Sequence, residues 1–300
     1  MMDKRAIRGN LLLLLTALIW GVAFVAQRVG LDHLGSFSFN GLRTLVGAFA
    51  VMPVALMTRR RDAGQKPGDR RTLIVGGIVC GLVLCIASNL QQAGLIYTSV
   101  GKAGFITALY ILFVPLIGLV FGRKVTRLFV LAVLVAIGGM FLLTMKGAEP
   151  VSRGDLLVLA SAAMFAVHIM VIDYYSPRVD GAMIAMIQFF VAGGLSVVIA
   201  VLSGELITVQ AVRGAMVPML YSGILSCGVG YTLQIVAQKD VNPVVASLVM
   251  SLESVFAALA GWALLHQSLT ARELLGCVLV FVAIILAQLP DRSAEARGDS

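Results

Sequence analysis

One carboxylate interrupts a long apolar stretch of the sequence. Residues 244–265 read VVASLVMSLESVFAALAGWALL, and Glu253 is the only ionisable side chain among them. A helix of this length just spans a hydrocarbon core of roughly 30 Å, and its tenth residue lies about 15 Å deep. A charge at that depth is costly, so it is typical of a protein-lined path, where it can bind a proton, pair with a cationic substrate group or anchor a gate. The alternative is a neutral acid that is hydrogen-bonded to a neighbouring helix.

Two basic side chains lie in other apolar stretches. Arg43 lies in residues 38–57 and carries a guanidinium whose planar fork suits a carboxylate. It is a candidate for binding a substrate carboxylate or for locking an outer gate, with snorkelling to the interface as the alternative. His168 lies near the middle of residues 154–172. It is a candidate for a proton relay with Glu253 or for a neutral hydrogen-bonding group.

The sequence contains no recognisable set of residues for catalysis or metal binding. HExxH, GxSxG and a glycine-rich phosphate loop with a lysine are all missing. The four cysteines lie inside apolar runs without a CxxC spacing, as expected of buried small side chains. We therefore predict neither an enzyme nor a bound cofactor.

The composition is that of an integral membrane protein. The chain has 300 residues, of which 59% are hydrophobic and only 13% are charged. Its apolar runs are long and lack the alternation of barrel strands, so the spans are expected to be helices. The net charge of +8 is explained by basic cytoplasmic loops, and we predict no nucleic-acid partner.

The apolar runs predict ten transmembrane helices with short connections. With the N-terminus placed inside, the inner segments carry 16 Lys and Arg residues and the outer segments carry five. This bias places both termini in the cytoplasm. Arg28 and Lys102 lie near span ends, where we expect them at the interface. The predicted spans are residues 10–29, 38–57, 73–92, 103–121, 128–145, 154–172, 182–202, 214–234, 244–265 and 273–289.

The chain repeats itself with a period of about 145 residues. RGNLLLLLTALIWGV at 8–22 aligns with RGDLLVLASAAMFAV at 153–167, with seven identities in fifteen positions. Residues 97–126 align with 241–270 at nearly the same offset and keep the same pattern of polar start, apolar span and polar turn. Five spans per copy is an odd number, so the second copy enters the membrane the opposite way round, as in many secondary transporters.

This repeat gives the predicted domain organisation. The fold class is an all-α integral membrane protein in which ten transmembrane helices form two inverted five-helix repeats. The first repeat covers residues 1–147, the second covers 148–290, and 291–300 form a polar cytoplasmic tail.

Polar and aromatic side chains within the spans are candidates for the substrate cavity. The third span of each copy contains several glycines and ends in polar side chains, and interrupted spans in matching positions point to a midplane binding site. The glycines alternatively serve close helix packing, and the aromatic residues an interfacial belt. The candidate cavity or gate residues are Trp20, Arg43, Asn89, Tyr110, His168, Tyr221, Gln234 and Glu253.

Four segments of the chain resemble the paired motifs of the EamA-type drug/metabolite transporter superfamily. They are TALIWGVAFVAQ (16–27), GLRTL (41–45), YTSVGKAGFITALYILFVPLIG (97–118) and SLESVFAALAGWALLHQSLT (251–270). The resemblance implies ten helices around a central cavity, with export or exchange of small metabolites, in some members amino acids. Trp20, Arg43 and Glu253 match the family pattern.

Two positions depart from that pattern. The family often has a proline after the glutamate of the ninth span, where this chain has Ser254. This change predicts a less kinked span. The family often has Gly-Glu before the following turn, where this chain has His266 and Gln267.

Together these observations predict an inner-membrane secondary transporter that exports small metabolites by alternating access, with amino acids as the first choice. Its partners are a small-molecule substrate and the lipid bilayer, with protons as the expected coupling ion, and a homodimer is left open. The alternatives are an importer or sugar-type permease of the same fold, and, in a different class, an intramembrane enzyme or a membrane scaffold.

Overall fold

The computed structural model describes residues 4–61, 70–122, 126–144, 151–265 and 270–288, and its regular elements there are helices. The ten predicted spans are all present. The tail that was predicted to be cytoplasmic, most of the basic loop after the second span and the His266–Gln267 turn lie outside the described residues. The helices are α1 (Lys4–Gly30), α2 (Ser36–Arg61), α3 (Arg70–Gly94), α4 (Val100–Ala108 and Tyr110–Val120), α5 (Arg127–Thr144), α6 (Arg153–Tyr175), α7 (Gly181–Leu202), α8 (Met216–Leu220, Tyr221–Tyr231 and Thr232–Ala237), α9 (Pro243–Met250 and Glu253–Leu265) and α10 (Ala271–Gln288), with a short helix at Val209–Gly214 before α8.

By length and composition, eight of these helices can cross a membrane, namely α1 to α4 and α6 to α9. Their starts follow local capping rules. Asn242 accepts a hydrogen bond from the backbone of Val244, and Pro243 occupies the first turn of α9. Ser152 and Asp155 form a reciprocal capping box at the start of α6. The sequence therefore defines these helix starts locally, before any packing.

The helices pack in a pattern that is kept when α1–α5 are exchanged with α6–α10. α1 packs on α8 and α9, and in the same way α6 packs on α3 and α4. α3 packs on α7 as α8 packs on α2, and the pairs α2–α7 and α5–α10 each map onto themselves. The predicted pair of inverted five-helix repeats is confirmed by this exchange symmetry.

Two helices are interrupted at matching positions. Leu109 separates the two pieces of α4, and residues 251–252 separate the two pieces of α9. When 97–126 is aligned with 241–270, Leu109 lies over Glu253. Broken helices in corresponding positions of the two repeats are typical of a midplane binding site.

These breaks correct two expectations from the sequence. The third span of each copy was the predicted place for an interruption, but α3 is continuous, while α8 contains a π-helix at Tyr221–Tyr231. Ser254 in place of a proline predicted a straighter ninth span, yet α9 breaks directly before Glu253. The hydroxyls of Ser251 and Ser254 bond to carbonyls three residues back, at 2.7 and 2.8 Å, and compete with the regular helical pattern.

The glycines of α3 serve packing. A Cβ atom on Gly77 would lie 2.6 Å from Ile187 Cβ, and one on Gly81 would lie 2.7 Å from Val191 Cβ. The absence of side chains here lets α3 and α7 approach closely across the two repeats. The packing alternative therefore accounts for these glycines.

Candidate functional site

A cavity lies between the two repeats. It measures about 470 Å³ when all space between its lining side chains, including the open mouth, is counted. Six of the eight candidate residues line it, namely Trp20, Arg43, Tyr110, His168, Gln234 and Glu253.

Glu253 begins the second piece of α9 and is 3% exposed. Its Oε1 atom and the hydroxyl of Tyr110 on α4 are buried without a partner at full hydrogen-bond geometry, and the two groups lie close enough to interact with each other. Both side chains face the cavity. The cavity thus contains an acidic group and a phenol that can both bond to a ligand.

Arg43 contributes the positive charge of the cavity and is buried rather than snorkelled to the interface. Its Nε and Nη2 atoms donate to Asn40 Oδ1 at 3.1 and 2.8 Å. The amide nitrogen of Asn40 donates in turn to Ser88 Oγ at 3.0 Å and Asn89 Oδ1 at 2.9 Å. The guanidinium is therefore held by hydrogen bonds from within the bundle. Arg43 and Glu253 face the same cavity without an ion pair between them.

Asn89 and Tyr221 are the two candidates that do not line the cavity. Asn89 donates to Ser196 Oγ at 2.7 Å, so it belongs to the polar cluster behind Arg43. Tyr221 is half-buried, and its hydroxyl donates to the carbonyl of Ile19 at 3.2 Å. Both residues lie near the cavity, but their side chains bond to the helices around it.

Aromatic side chains form one wall of the cavity. The indole nitrogen of Trp20 donates to the carbonyl of Ser226 at 3.2 Å, within the π-helix of α8. The ring of Tyr231 lies 4.7 Å from that of Trp20 and 5.8 Å from that of His168. His168 Nε2 is 3.0 Å from Gln188 Oε1, so its hydrogen-bond partner is this glutamine and not Glu253. The contact supports the hydrogen-bonding alternative for His168.

Several lining residues were missed by the sequence analysis. Gln27 and Thr107 lie inside apolar spans, where an isolated polar side chain was the available signal. Gln91 Nε2 donates to Thr107 Oγ1 at 3.1 Å across α3 and α4. The serines of α9 are not part of the cavity wall, and the hydroxyl of Ser247 bonds to its own helix, at Val244 O.

Lys102 differs from the expectation of an interfacial side chain. It is buried, and its Nζ atom lies 2.8 Å from Asp155 Oδ2, because the starts of α4 and α6 lie side by side. Arg28 is about half-exposed and lies 3.9 Å from Asp32 on the same helix end. Among the described residues, no group of three or more His, Cys, Asp or Glu side chains is placed to hold a metal ion.

Comparison with known proteins yields a consistent set of relatives. A family model described as the EamA-like transporter family matches residues 7–145 and 152–289. An uncharacterized transporter of Archaeoglobus fulgidus is 29% identical over 94% of this chain and 86% of its own. The uncharacterized inner membrane transporter YedA of Escherichia coli K12 is 21% identical over 91% of this chain and 88% of its own. A protein of known crystal structure superimposes with a TM-score of 0.76 at 17% identity, covering 97% of this chain and 99% of that chain, and this likeness concerns the fold alone.

Proposed function

The chain belongs to the EamA-like transporter family, and on that premise we propose that it exports a zwitterionic, amino-acid-like metabolite across the plasma (inner) membrane. It is a multi-pass membrane transporter, which implies a small-molecule substrate. The inner-membrane assignment is supported by its relative YedA, which is named as an inner membrane transporter. The following contacts support the class of substrate, and export is the direction that the resemblance to the family implies.

The observation that carries the proposal is the pairing of opposite charges around one cavity. Arg43 from the first repeat and Glu253 from the second both line it, and they make no ion pair with each other. A ligand with a carboxylate and an ammonium group would neutralise both. The guanidinium suits the carboxylate, and the buried Oε1 of Glu253 has an unused bond for the ammonium.

Transport would follow alternating access, with residues 1–147 as one unit and 148–290 as the other. The cavity draws its lining from both units, so a change in their relative position would alter access to the bound substrate. Asn89 and Tyr221, which hold helices near the cavity, would then act on its shape. Tyr110, His168, Gln234 and Trp20 would contact the substrate directly.

We propose protons as the coupling ion. Glu253 can bind a proton or pair with a substrate ammonium, but it cannot do both at once. Proton binding from one side would then displace the substrate, which is the exchange that an exporter requires. The mid-span position and the unpaired oxygen of Glu253 support this step.

The proposed topology has both termini in the cytoplasm. It is supported by the 16 Lys and Arg residues assigned to inner segments, against five assigned to outer ones. A homodimer is included in the proposal as an assembly to be tested by the mass of the purified protein in detergent.

The experiment is a comparison of efflux. Cells that lack or overproduce the protein are loaded with labelled amino acids and related metabolites, and wild type is compared with Glu253→Gln at equal membrane abundance. Asp32→Asn serves as the control, because that carboxylate lies at an exposed helix end. We expect faster loss of at least one zwitterionic compound with wild type and Asp32→Asn, and no gain with Glu253→Gln. Equal efflux by all three proteins contradicts the role of Glu253, and faster uptake in place of efflux contradicts export.

A further inference from the structure

The two repeats are joined by charged contacts at one end of the bundle. This end, at which α2, α4 and α6 begin, is called here the latch end. Lys102 at the start of α4 pairs with Asp155 at the start of α6, with Nζ and Oδ2 2.8 Å apart. Lys102 belongs to the first repeat and Asp155 to the second. The side chains are 9% and 6% exposed, so water competes little for this pair.

The carboxylate of Asp155 is held by further contacts. Its Oδ1 accepts a hydrogen bond from Thr98 Oγ1 at 2.7 Å, again across the two repeats. Its Oδ2 also accepts from the backbone of Ser152 at 2.8 Å, as part of the cap of α6. A Cβ atom on Gly154 would lie 2.5 Å from the carbonyl oxygen of Gly94, so the backbones of α3 and α6 meet here without side chains between them. Lys102, Thr98 and Asp155 form what we call the first latch.

A second latch lies at the same end. Glu205, in the loop after α7, accepts hydrogen bonds from the backbone of Phe37 at 3.2 Å and of Ser38 at 2.7 Å, and from the Ser38 hydroxyl at 2.6 Å. It therefore caps α2 of the first repeat from a loop of the second. A Cβ atom on Gly35 would lie 2.2 Å from this carboxylate, so the glycine leaves the room that Glu205 needs.

The inverted repeat supplies an internal control for the first latch. The alignment that places 8–22 over 153–167 puts Asn10 opposite Asp155, and the alignment of 97–126 with 241–270 puts Ala246 opposite Lys102. Asn10 and Ala246 cannot form an ion pair. The Lys102–Asp155 pair is therefore not repeated at the matching positions of the other copy.

The helices that the first latch joins also line the cavity. Lys102 precedes Thr107 by little more than one turn of α4, and Asp155 lies on the same helix as His168. Alternating access requires the repeats to separate at one end while they stay together at the other. Polar contacts suit such a closure, because water can replace them when they separate, and buried ion pairs contribute specificity more than net stability.

We propose that Lys102, Thr98, Asp155 and Glu205 form the gate at the latch end, which is closed in this structure and opens when the two latches separate. This inference does not depend on which substrate is carried. It concerns residues outside the cavity wall that the comparisons assign no role.

The gate is tested by access to the cavity from each side. The four native cysteines are replaced, and Ala23, on the cavity wall, is changed to cysteine. A membrane-impermeant thiol reagent is applied to right-side-out and inverted vesicles. The vesicle type that exposes the latch end is identified beforehand with a cysteine at Tyr97, an exposed residue of that end. The variants are Lys102→Ala and Asp155→Asn, which introduce the residues of the other copy, and Asn retains the capping oxygen.

We expect both variants to speed labelling of Ala23→Cys from the latch end about tenfold or more, because each leaves one charge of a buried pair without its partner. Labelling from the opposite end should not rise. Lys102→Arg, which keeps the charge, and Arg28→Ala, which removes an exposed pair at the same end, should label like the parent. Unchanged labelling from the latch end in a folded variant overturns the gate, and so does an equal increase from both ends. If no amino-acid efflux is detected, the labelling of Ala23→Cys still tests the gate, because it requires no substrate.

Discussion

The first copy of the repeat begins with RGN at residues 8–10, and the second begins with RGD at residues 153–155. The aspartate of the second copy caps its helix and pairs with Lys102, whereas the aligned positions of the other copy hold Asn10 and Ala246. The two copies share the positions of their helices and of their helix breaks. They differ in the polar side chains placed on that common frame.

The same contrast holds at the cavity. Arg43 is the eighth residue of α2, and the eighth residue of α7 is Gln188. Glu253 aligns with Leu109 at the break of α4. One copy thus supplies the cation and the other supplies the anion. In the proposed mechanism, the shared helix frame supports the movement of the two repeats, and the side chains that differ between the copies create a site for a ligand with two unlike ends.

The strongest way to break this asymmetry is Arg43→Gln, which gives the first copy the side chain of the second. Glutamine can still bond to Asn40, so the fold should persist. We expect kcat/KM for a carboxylated substrate to fall about 100-fold, because a charge-assisted hydrogen bond is lost. The measurement is concentration-dependent transport in proteoliposomes. Transport that is unaffected by this change would assign Arg43 to packing.

A smaller effect on transport is expected from changing Asn40, which accepts hydrogen bonds from Arg43. Asn40 is the fifth residue of α2, and its counterpart in α7 is Ala185. Asn40→Ala removes the acceptor of two Arg43 hydrogen bonds and should raise KM about tenfold, with a smaller change in kcat. Asn40→Asp, which keeps the acceptor, should retain more of the affinity. An equal rise in KM in both variants would indicate that the substitutions damage the packing around Asn40 in general.

The latch end and the opposite end of the helix bundle can be compared by adding one methyl group at each, on Gly154 and on Gly9. On Gly154 a Cβ atom would lie 2.5 Å from a backbone oxygen, while on Gly9 it would lie 2.4 Å from a side-chain methyl of Val241. A side chain can rotate away, but the backbone at Gly94 cannot. Gly154→Ala should therefore cost about 2 kcal/mol and Gly9→Ala about 1 kcal/mol or less. Thermal unfolding in detergent measures both, and a larger loss for Gly9→Ala would reverse the ranking of the two ends.

The mildest change is Trp20→Phe, which installs the aromatic residue of the second copy, Phe165. The ring contact with Tyr231 is kept, but the hydrogen bond to Ser226 O is lost. We expect a threefold to tenfold rise in KM, corresponding to about 1 kcal/mol. Transport kinetics of the purified variant test this, and a complete loss of transport would mean that the indole has a larger role.

The fold was largely predictable from the sequence, because each span is a long apolar run and the two copies retain aligned segments. Cavity residues were predictable where an ionisable or aromatic side chain lies deep in a span, as for Glu253 and Trp20. Asn89 was misplaced because its depth is right but its side chain turns toward Ser196. Depth follows from position in the span, whereas side-chain direction depends on the neighbouring helix.

Two features required the packed structure. The break of α9 lies among serines whose hydroxyls bond to their own helix, and its position is not visible in a run of apolar residues with a few serines. The pairing of Lys102 with Asp155 depends on the starts of α4 and α6 lying side by side. These residues are 53 positions apart in the sequence, and no local pattern links them.

Ligand binding by the purified protein tests the central claim most directly. An amino acid that the protein transports is compared with its decarboxylated amine and its deaminated acid, using wild type, Arg43→Gln and Glu253→Gln. We expect wild type to prefer the intact amino acid, Arg43→Gln to bind the amine as well as the amino acid, and Glu253→Gln to lose its preference for ligands with an ammonium group. If both substitutions instead weaken all three ligands by the same factor, the two charges do not recognise the two ends of a zwitterion, and the account is contradicted.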